Sequence, residues 1–126
     1  MLIALDIGNT HIDFGLFSDG ALLARDRIRT PDQAGETDHA IWLMDFIAKH
    51  ANHQHVKRAL IASVVRGIET DLIAACNRCD IAAHSVDSDW DLGLQIRYDN
   101  PQHVGIDRLL AASAALVEAP PNTALV

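Results

Sequence analysis

The chain has 126 residues, of which 49% are hydrophobic and 21% are charged, with only 7 glycines and 4 prolines. This composition is typical of one globular domain and excludes a disordered, collagen-like or low-complexity chain. Ten Lys and Arg residues against 17 Asp and Glu residues give a formal net charge of −7, which disfavours nucleic-acid and anionic-membrane partners.

The amino-terminal part of the sequence predicts three strands joined by tight turns. A β-branched apolar run suits a strand buried on both faces, and an alternating segment suits a half-buried strand. Asp19 and Gly20 then predict a hairpin before a third strand. These strands are predicted at residues 2–7, 12–17 and 21–29. Consecutive strands connected in this way form an antiparallel meander.

Helical and extended segments alternate through the rest of the chain. Apolar residues recur at helical spacing in three segments, while two short β-branched runs and one alternating run indicate extended chain. Helices are predicted at residues 36–50, 68–79 and 104–118, and extended segments at 58–65, 81–86 and 92–98. This order predicts an α/β domain whose mixed sheet begins with the antiparallel meander.

The lack of a recognisable targeting signal and the small number of cysteines both predict a cytoplasmic location. The first residues lack the basic region and cleavage site of a signal peptide, and no apolar run approaches the ~18 residues of a membrane span. Cys76 and Cys79 are too few for a disulfide framework or a structural zinc site, so they predict reduced thiols on one helix face. His50, His53 and His55 predict a polar loop, with adventitious metal binding as the alternative.

The sharpest local feature is Asp6-Ile7-Gly8-Asn9-Thr10, at the junction of the first two predicted strands. Gly8 permits close approach of a ligand and a positive φ. The turn amides and the side chains of Asn9 and Thr10 can donate hydrogen bonds to phosphate oxygens, and Asp6 can hold Mg²⁺. Such groups overcome the repulsion of an anionic ligand by the acidic chain. An ordinary hairpin is the alternative, and neither a P-loop nor a dinucleotide-binding fingerprint occurs.

A second candidate surrounds the predicted start of the last helix. Pro101 ends the extended segment, and Gly105 permits close approach where the helix begins. Asp107 can act as a general base toward an alcohol, Arg108 can bind a carboxylate bidentately, and Tyr98 can wall a pocket. The alternative is helix N-terminal chemistry, since an acidic residue in the first turn complements the helix dipole.

Taken together, in this order and at this separation, the two motifs resemble type III pantothenate kinase. The resemblance covers residues 1–126 and is carried by four segments: DIGNTH at 6–11, ASVV at 62–65, IRYDNP at 96–101 and VGIDR at 104–108. It implies two ribonuclease H-like domains of the sugar kinase, actin and chaperone superfamily. Residues 1–118 are then expected to form the first domain. Residues 119–126 are expected to be a linker and the start of a truncated second domain.

The resemblance also implies a reaction and its cofactors. The family transfers the γ-phosphoryl group of ATP to pantothenate, giving 4'-phosphopantothenate in the first step of coenzyme A biosynthesis. It uses Mg²⁺ and a monovalent cation, K⁺ or NH4⁺, whose ligand lies in the second domain. The resemblance implies a homodimer, while the charge balance predicts no nucleic-acid or membrane partner. The 126 residues alone are expected to be inactive.

Site residues follow from the same resemblance. The implied ATP loop comprises Asp6, Ile7, Gly8, Asn9, Thr10, His11, Ile12 and Asp13, with Asp6 as the metal ligand. The implied pantothenate site comprises Tyr98, Gly105, Ile106, Asp107 and Arg108, with Asp107 as the proton acceptor. Two alternatives remain open: a non-catalytic regulatory homologue that keeps the fold, and a kinase of the same superfamily that acts on another alcohol.

Overall fold

One mixed sheet organises the part of the chain that the computed structural model describes, residues 1–31, 39–51 and 56–120. Its strands are β1 (Leu2–Ile7), β2 (His11–Ser18), β3 (Ala21–Arg29), β4 (Arg58–Ser63) and β5 (Ala82–Ser85). The order across the sheet is β3-β2-β1-β4-β5. The first three strands pair antiparallel, whereas β4 runs parallel to both β1 and β5. The predicted ribonuclease H-like α/β fold is therefore confirmed.

Three α-helices accompany the sheet in these described ranges. They are α1 (His39–His50), α2 (Ile68–Arg78) and α3 (Ile106–Glu118), and a single 3₁₀ turn spans Pro101–His103. The first three residues of the helix predicted at 36–50 lie outside the described residues. His53, His55 and residues 121–126 also lie outside them. The last helix begins two residues later than predicted, because Val104 is extended and Gly105 is the N-cap.

Two predicted extended segments differ from the structure for identifiable reasons. β4 ends at Ser63 rather than at residue 65, because the Ser63 hydroxyl donates to the Val65 carbonyl and accepts from the Val65 N–H in a local turn. The segment at 92–98 alternates apolar and polar residues but lies outside the sheet. Its apolar side chains pack against a small cluster made of Ala62, Val86, Ile106 and Leu109. The alternation of apolar and polar residues at 92–98 therefore reflects packing on one side of the segment, without pairing to a strand.

The two faces of the sheet have different coverings. Alternate residues of β1 and β2 point into the larger core, where they pack against α1 and α2: Ile3, Leu5, Ile7, Ile12, Phe14 and Leu16. The opposite face is covered by α3 at β4, where Ile106 and Leu109 pack on Ala62. Near the turn, that second face of β1 and β2 carries Asp6 and Asp13, whereas Leu2 and Phe17 pair at the far end of the two strands. The start of α3 lies beside the turn end, because Gly105 is close to Val64 and the Val64 N–H donates to the Ile7 carbonyl.

The cysteines belong to the core side of the sheet. Cys76 is fully buried on α2 and Cys79 is half-buried at its end, and both are free thiols. Burial raises the pKa of the Cys76 thiol to about 11, and the neighbouring Cys79 adds to the rise. The Cys79 sulfur lies 3.1 Å from the sulfur of Met44. Among the helices that the structure describes, none has the length and apolar character needed to cross a membrane.

Truncating a core leucine tests the packing of α2 against the sheet. Leu72 is 0% exposed, so Leu72→Ala should lower the free energy of unfolding by about 2–5 kcal/mol, through lost burial and the cavity left behind. Leu116→Ala on α3, where the side chain is 56% exposed, is the control and should change it by less than ~0.5 kcal/mol. Urea unfolding of the three proteins checks this. Equal losses in the two variants would contradict the placement of Leu72.

Candidate functional site

The turn between β1 and β2 is closed by one backbone hydrogen bond, from the Gly8 N–H to the His11 carbonyl at 2.9 Å. Asn9 and Thr10 are exposed between them. A Cβ on Gly8 would lie 3.3 Å from the His11 carbonyl oxygen, tighter than ordinary van der Waals contact. Gly8 does not use the positive φ that glycine permits, because the glycines with positive φ in the described residues are Gly20, Gly67 and Gly93. Space, rather than backbone conformation, favours glycine at position 8.

Two of the predicted loop residues anchor the turn. Ile7 and Ile12 are paired across β1 and β2, and both side chains are 0% exposed in the larger core. Buried aliphatic side chains at both ends hold the turn to the sheet. Ile7 and Ile12 can therefore offer a ligand only their backbone groups.

Thr30 holds the same turn from the end of β3. Its hydroxyl donates to the Gly8 carbonyl at 2.7 Å, and its N–H donates to the Thr10 carbonyl at 2.9 Å. At 5% exposure, Thr30 is the one buried polar residue in the part of the chain that the structure describes. Buried hydroxyl groups require hydrogen-bond partners, and this one finds its partner in the turn.

Two carboxylates from other elements act on Asp6 at this edge of the sheet. Asp6 on β1 lies opposite Asp13 on β2, and Asp107 comes from the first turn of α3. Partial burial raises the pKa of Asp6, the negative charges of Asp13 and Asp107 raise it further, and Arg27 partly offsets the rise. The two sequence motifs therefore meet in the folded chain.

Asp13 has a cationic partner on the neighbouring strand. Arg27 faces Asp13 in the register of β2 and β3, and the Arg27 Nε donates to the Asp13 Oδ1 at 2.7 Å. This hydrogen bond and the charge of Asp13 raise the pKa of the Arg27 guanidinium. The hydrogen bond therefore holds the Arg27 guanidinium beside Asp13.

The start of α3 places Asp107 over the backbone of Gly105. Gly105 is the N-cap, with φ −59° and ψ 139°, a conformation open to any residue. A Cβ on Gly105 would overlap the Asp107 Oδ1, so the carboxylate keeps this position only above a glycine. The Ile106 side chain is buried in the cluster with Ala62 and holds the start of α3 to the sheet. Asp107 and Arg108 are exposed.

Tyr98 and Arg108 are exposed side chains beside the carboxylates. Tyr98 is 61% exposed and ends the segment that packs beside α3. Neither Tyr98 nor Arg108 is among the groups that shift the pKa of Asp6. The structure therefore pairs Asp6 with Asp13, places Asp107 near enough for its charge to act on Asp6, and leaves Tyr98 and Arg108 open to solvent.

The oxygen ligands at this edge suit a hard divalent cation. In the described ranges, no three His, Cys, Asp or Glu side chains are grouped closely enough to hold a metal ion by themselves. Mg²⁺ commonly takes one or two carboxylates and fills its shell with water and phosphate oxygens. A cation beside Asp6 would also relieve the repulsion that raises the pKa of this carboxyl. The residues present thus fit Mg²⁺ bound jointly with a phosphate ligand.

Both motifs fall inside one family model. The model described as type III pantothenate kinase matches residues 2–126. The chain belongs to this family. The type III pantothenate kinase of Thermus thermophilus is 37% identical over 122 residues, which cover 97% of this chain and 48% of the relative.

Other type III pantothenate kinases match over similar lengths. The protein of Rhodospirillum centenum is 32% identical over 130 residues, covering 100% of this chain and 49% of that protein. The protein of Desulfosudis oleivorans is 38% identical over 119 residues, covering 91% of this chain and 46% of that protein. The chain spans about half the length of the curated relatives it matches.

Two residues of the candidate site, Arg27 and Thr30, were not found from the sequence. Arg27 is one of three alternating arginines on β3, with Arg25 and Arg29, and only its register opposite Asp13 distinguishes it. Thr30 directly follows β3 and belongs to neither sequence motif. A threonine directly before Pro31 was the available signal, because the residue before a proline favours an extended backbone.

Removing the charge of Asp6 should stabilise this member of the pantothenate kinase family at neutral pH. The pKa of Asp6 is raised above its ordinary value of 3.8, so the folded chain binds a proton more tightly than the unfolded chain. The free energy of unfolding therefore falls as pH rises through the interval between the unfolded and folded pKa values. Asp6→Asn should be more stable than the parent at pH 7, by less than ~1 kcal/mol because the group is partly solvated.

Thermal unfolding between pH 3 and pH 8 measures this effect. The gain should vanish below the ordinary pKa of 3.8, where Asp6 is protonated in both states. Asp45→Asn, an exposed carboxylate on α1 at the other face of the sheet, controls for the loss of one negative charge. A parent protein more stable than Asp6→Asn at pH 7 would show that the charge of Asp6 is not penalised.

Proposed function

We propose that the enzyme containing this chain transfers the γ-phosphoryl group of ATP to the terminal hydroxyl of pantothenate, giving 4'-phosphopantothenate and ADP. The observation that carries the proposal is the meeting of Asp6 and Asp107. These carboxylates come from two motifs far apart in sequence, yet the charge of Asp107 acts on Asp6 in the fold. Membership of the type III pantothenate kinase family supports the same reaction.

The turn between β1 and β2 is the proposed phosphate site. Asn9 and Thr10 are exposed there, and their amide and hydroxyl groups can donate hydrogen bonds to phosphate oxygens. His11 and Asp13 continue the implied loop onto β2, and Asp6 is the proposed cation ligand. Mg²⁺, when bound, supplies charge neutralisation to the phosphates. Because the surrounding carboxylates repel an anion, we expect nucleotide binding at this site to depend strongly on a divalent cation.

Asp107 is the proposed proton acceptor. A carboxylate exposed at the start of α3 can accept the proton of the pantothenate hydroxyl while that oxygen forms its bond to the γ-phosphorus. The bond from phosphorus to the bridging oxygen breaks, and ADP leaves. Positioning and charge neutralisation supply most of the catalysis in phosphoryl transfer, so one base is chemically sufficient.

The residues around Asp107 are proposed to bind the other end of pantothenate. The guanidinium of Arg108 is exposed, and arginine binds carboxylates bidentately. Tyr98, Gly105 and Ile106 are proposed to complete this substrate site, as the resemblance implies. Arg108 also supplies positive charge near an otherwise acidic site, which favours a carboxylate-bearing substrate.

Activity is proposed to need more polypeptide than these 126 residues, because the chain spans about half the length of its relatives. Residues 1–118 are the proposed first kinase domain, with 119–126 leading toward a second. The monovalent cation, the homodimer and the cytoplasmic location stay predictions that rest on the family resemblance and on the two unpaired cysteines.

An assay of the complete polypeptide encoded by the gene tests the proposal. With ATP, Mg²⁺ and K⁺ present, ADP release should require pantothenate, and mass spectrometry should detect 4'-phosphopantothenate. Removal of Mg²⁺ with a chelator is the control and should abolish turnover. Turnover with a different alcohol alone would support another kinase of the superfamily, and binding without turnover would support a regulatory homologue. The 126 residues by themselves should show negligible turnover.

A further inference from the structure

We propose that Thr30 is a positioning residue of the phosphate-binding turn, an inference that rests on the proposed function. Thr30 lies on neither of the two motifs and reaches the turn from the end of β3. Its hydroxyl and its N–H donate to two different carbonyls of the turn, those of Gly8 and Thr10. Thr30 thus holds the turn through two hydrogen bonds, one from its side chain and one from its backbone.

The two bonds decide which backbone groups of the turn face a ligand. The carbonyls of Gly8 and Thr10 point to Thr30, and the carbonyl of His11 accepts from the Gly8 N–H. Carbonyl oxygens repel phosphate, so directing them inward removes that repulsion from the ligand side. The Asn9 and Thr10 N–H groups donate to no acceptor in the residues that the structure describes. These two donors remain available for a phosphate oxygen.

Local chemistry fixes Thr30 in this orientation. Pro31 follows it and restricts Thr30 to extended backbone conformations, and the β-branched side chain has few rotamers. Burial at 5% exposure keeps water from competing for the hydroxyl. The turn carbonyls are therefore held by a rigid donor instead of by solvent, which is the condition for a preorganised anion site.

Thr30→Val and Thr30→Ser separate the hydroxyl from the rest of the side chain. Valine keeps the shape and the backbone N–H but removes the bond to Gly8, whereas serine keeps the hydroxyl. In the complete polypeptide, Thr30→Val should raise the KM for ATP about tenfold, as expected for one lost bond and an unsatisfied carbonyl. The KM for pantothenate should stay within about twofold, and Thr30→Ser should largely restore the KM for ATP. Thr70→Val, at an exposed position on α2, is the matched control.

Calorimetric titration of Mg²⁺-ATP reads the same effect without turnover, so the two proposals can fail separately. A parent protein that binds nucleotide more tightly than Thr30→Val supports the positioning role even where no pantothenate is phosphorylated. Unchanged ATP affinity in Thr30→Val would overturn it. Equal rises in both KM values, or no rescue by serine, would also overturn it by showing a merely structural role. If valine prevents folding, Thr30→Ala provides the same loss of the hydroxyl.

Discussion

Asp107→Asn in the complete polypeptide should lower kcat by about 10²- to 10⁴-fold, with little change in the KM for ATP or pantothenate. The substitution removes the proposed proton acceptor and keeps the size of the side chain. Asn also keeps a polar group in the first turn of α3, so the helix should remain intact. Steady-state kinetics at saturating concentrations of both substrates measure the loss.

Asp45→Asn is the matched control for that experiment. Asp45 is an exposed carboxylate on α1, at the face of the sheet opposite Asp6, and its loss should leave kcat within about twofold of the parent. Equal thermal stability of the Asp107→Asn variant and the parent would confirm that the fold is unchanged. If kcat stayed at the parent value in Asp107→Asn, the assignment of the base would be wrong. A rise in the KM for pantothenate alone would indicate a binding role instead.

The fold was predictable where local patterns carried the information. β1 and β3 have the predicted bounds, because apolar periodicity and the hairpin signal define them. Asp19 and Gly20 indeed adopt positive φ angles of 51° and 82°, as the tight turn requires. The segment at 92–98 has the same alternation but no strand partner. Periodicity reports which side chains are buried, and it does not report whether the backbone pairs.

The two motifs of the candidate site were predictable from the sequence, but the residues that contact the motifs from β3 were not. Asp6 and Asp107 carry chemistry that the residue types and neighbours indicate. Thr30 and Arg27 depend on how β3 is placed beside β2. Register is a property of the assembled sheet, so no local pattern distinguishes Arg27 from the arginines on either side.

The net charge and the local charges together favour a cation at the proposed phosphate site. The whole chain carries a formal charge of −7, and three carboxylates lie where the phosphates are proposed to bind. An anion is thus disfavoured both at long range and at contact, except at the turn amides. Arg27 offsets only part of this, since it is one cation against three carboxylates. A divalent cation bound beside Asp6 would neutralise the remaining negative charge.

Gly105→Ala in the complete polypeptide should lower kcat by about 10²-fold while leaving the fold intact. The backbone at Gly105 has φ −59° and ψ 139°, which alanine adopts freely, so we expect no conformational strain. The added Cβ, however, would overlap the Asp107 Oδ1. The carboxylate must move away from its position over the start of α3, and a displaced base accepts the substrate proton poorly.

A double-mutant cycle with Asp107→Asn isolates this cause. If Gly105 acts only through the position of the carboxylate, adding Gly105→Ala to Asp107→Asn should cost almost nothing further in kcat. Alanine at an allowed φ should also leave thermal stability unchanged or slightly higher, by roughly 0.4–1 kcal/mol. Equal losses of kcat in both backgrounds would instead show that the Cβ obstructs the substrate itself. If kcat of Gly105→Ala equalled that of the parent, catalysis would not require the Asp107 carboxylate to lie over Gly105.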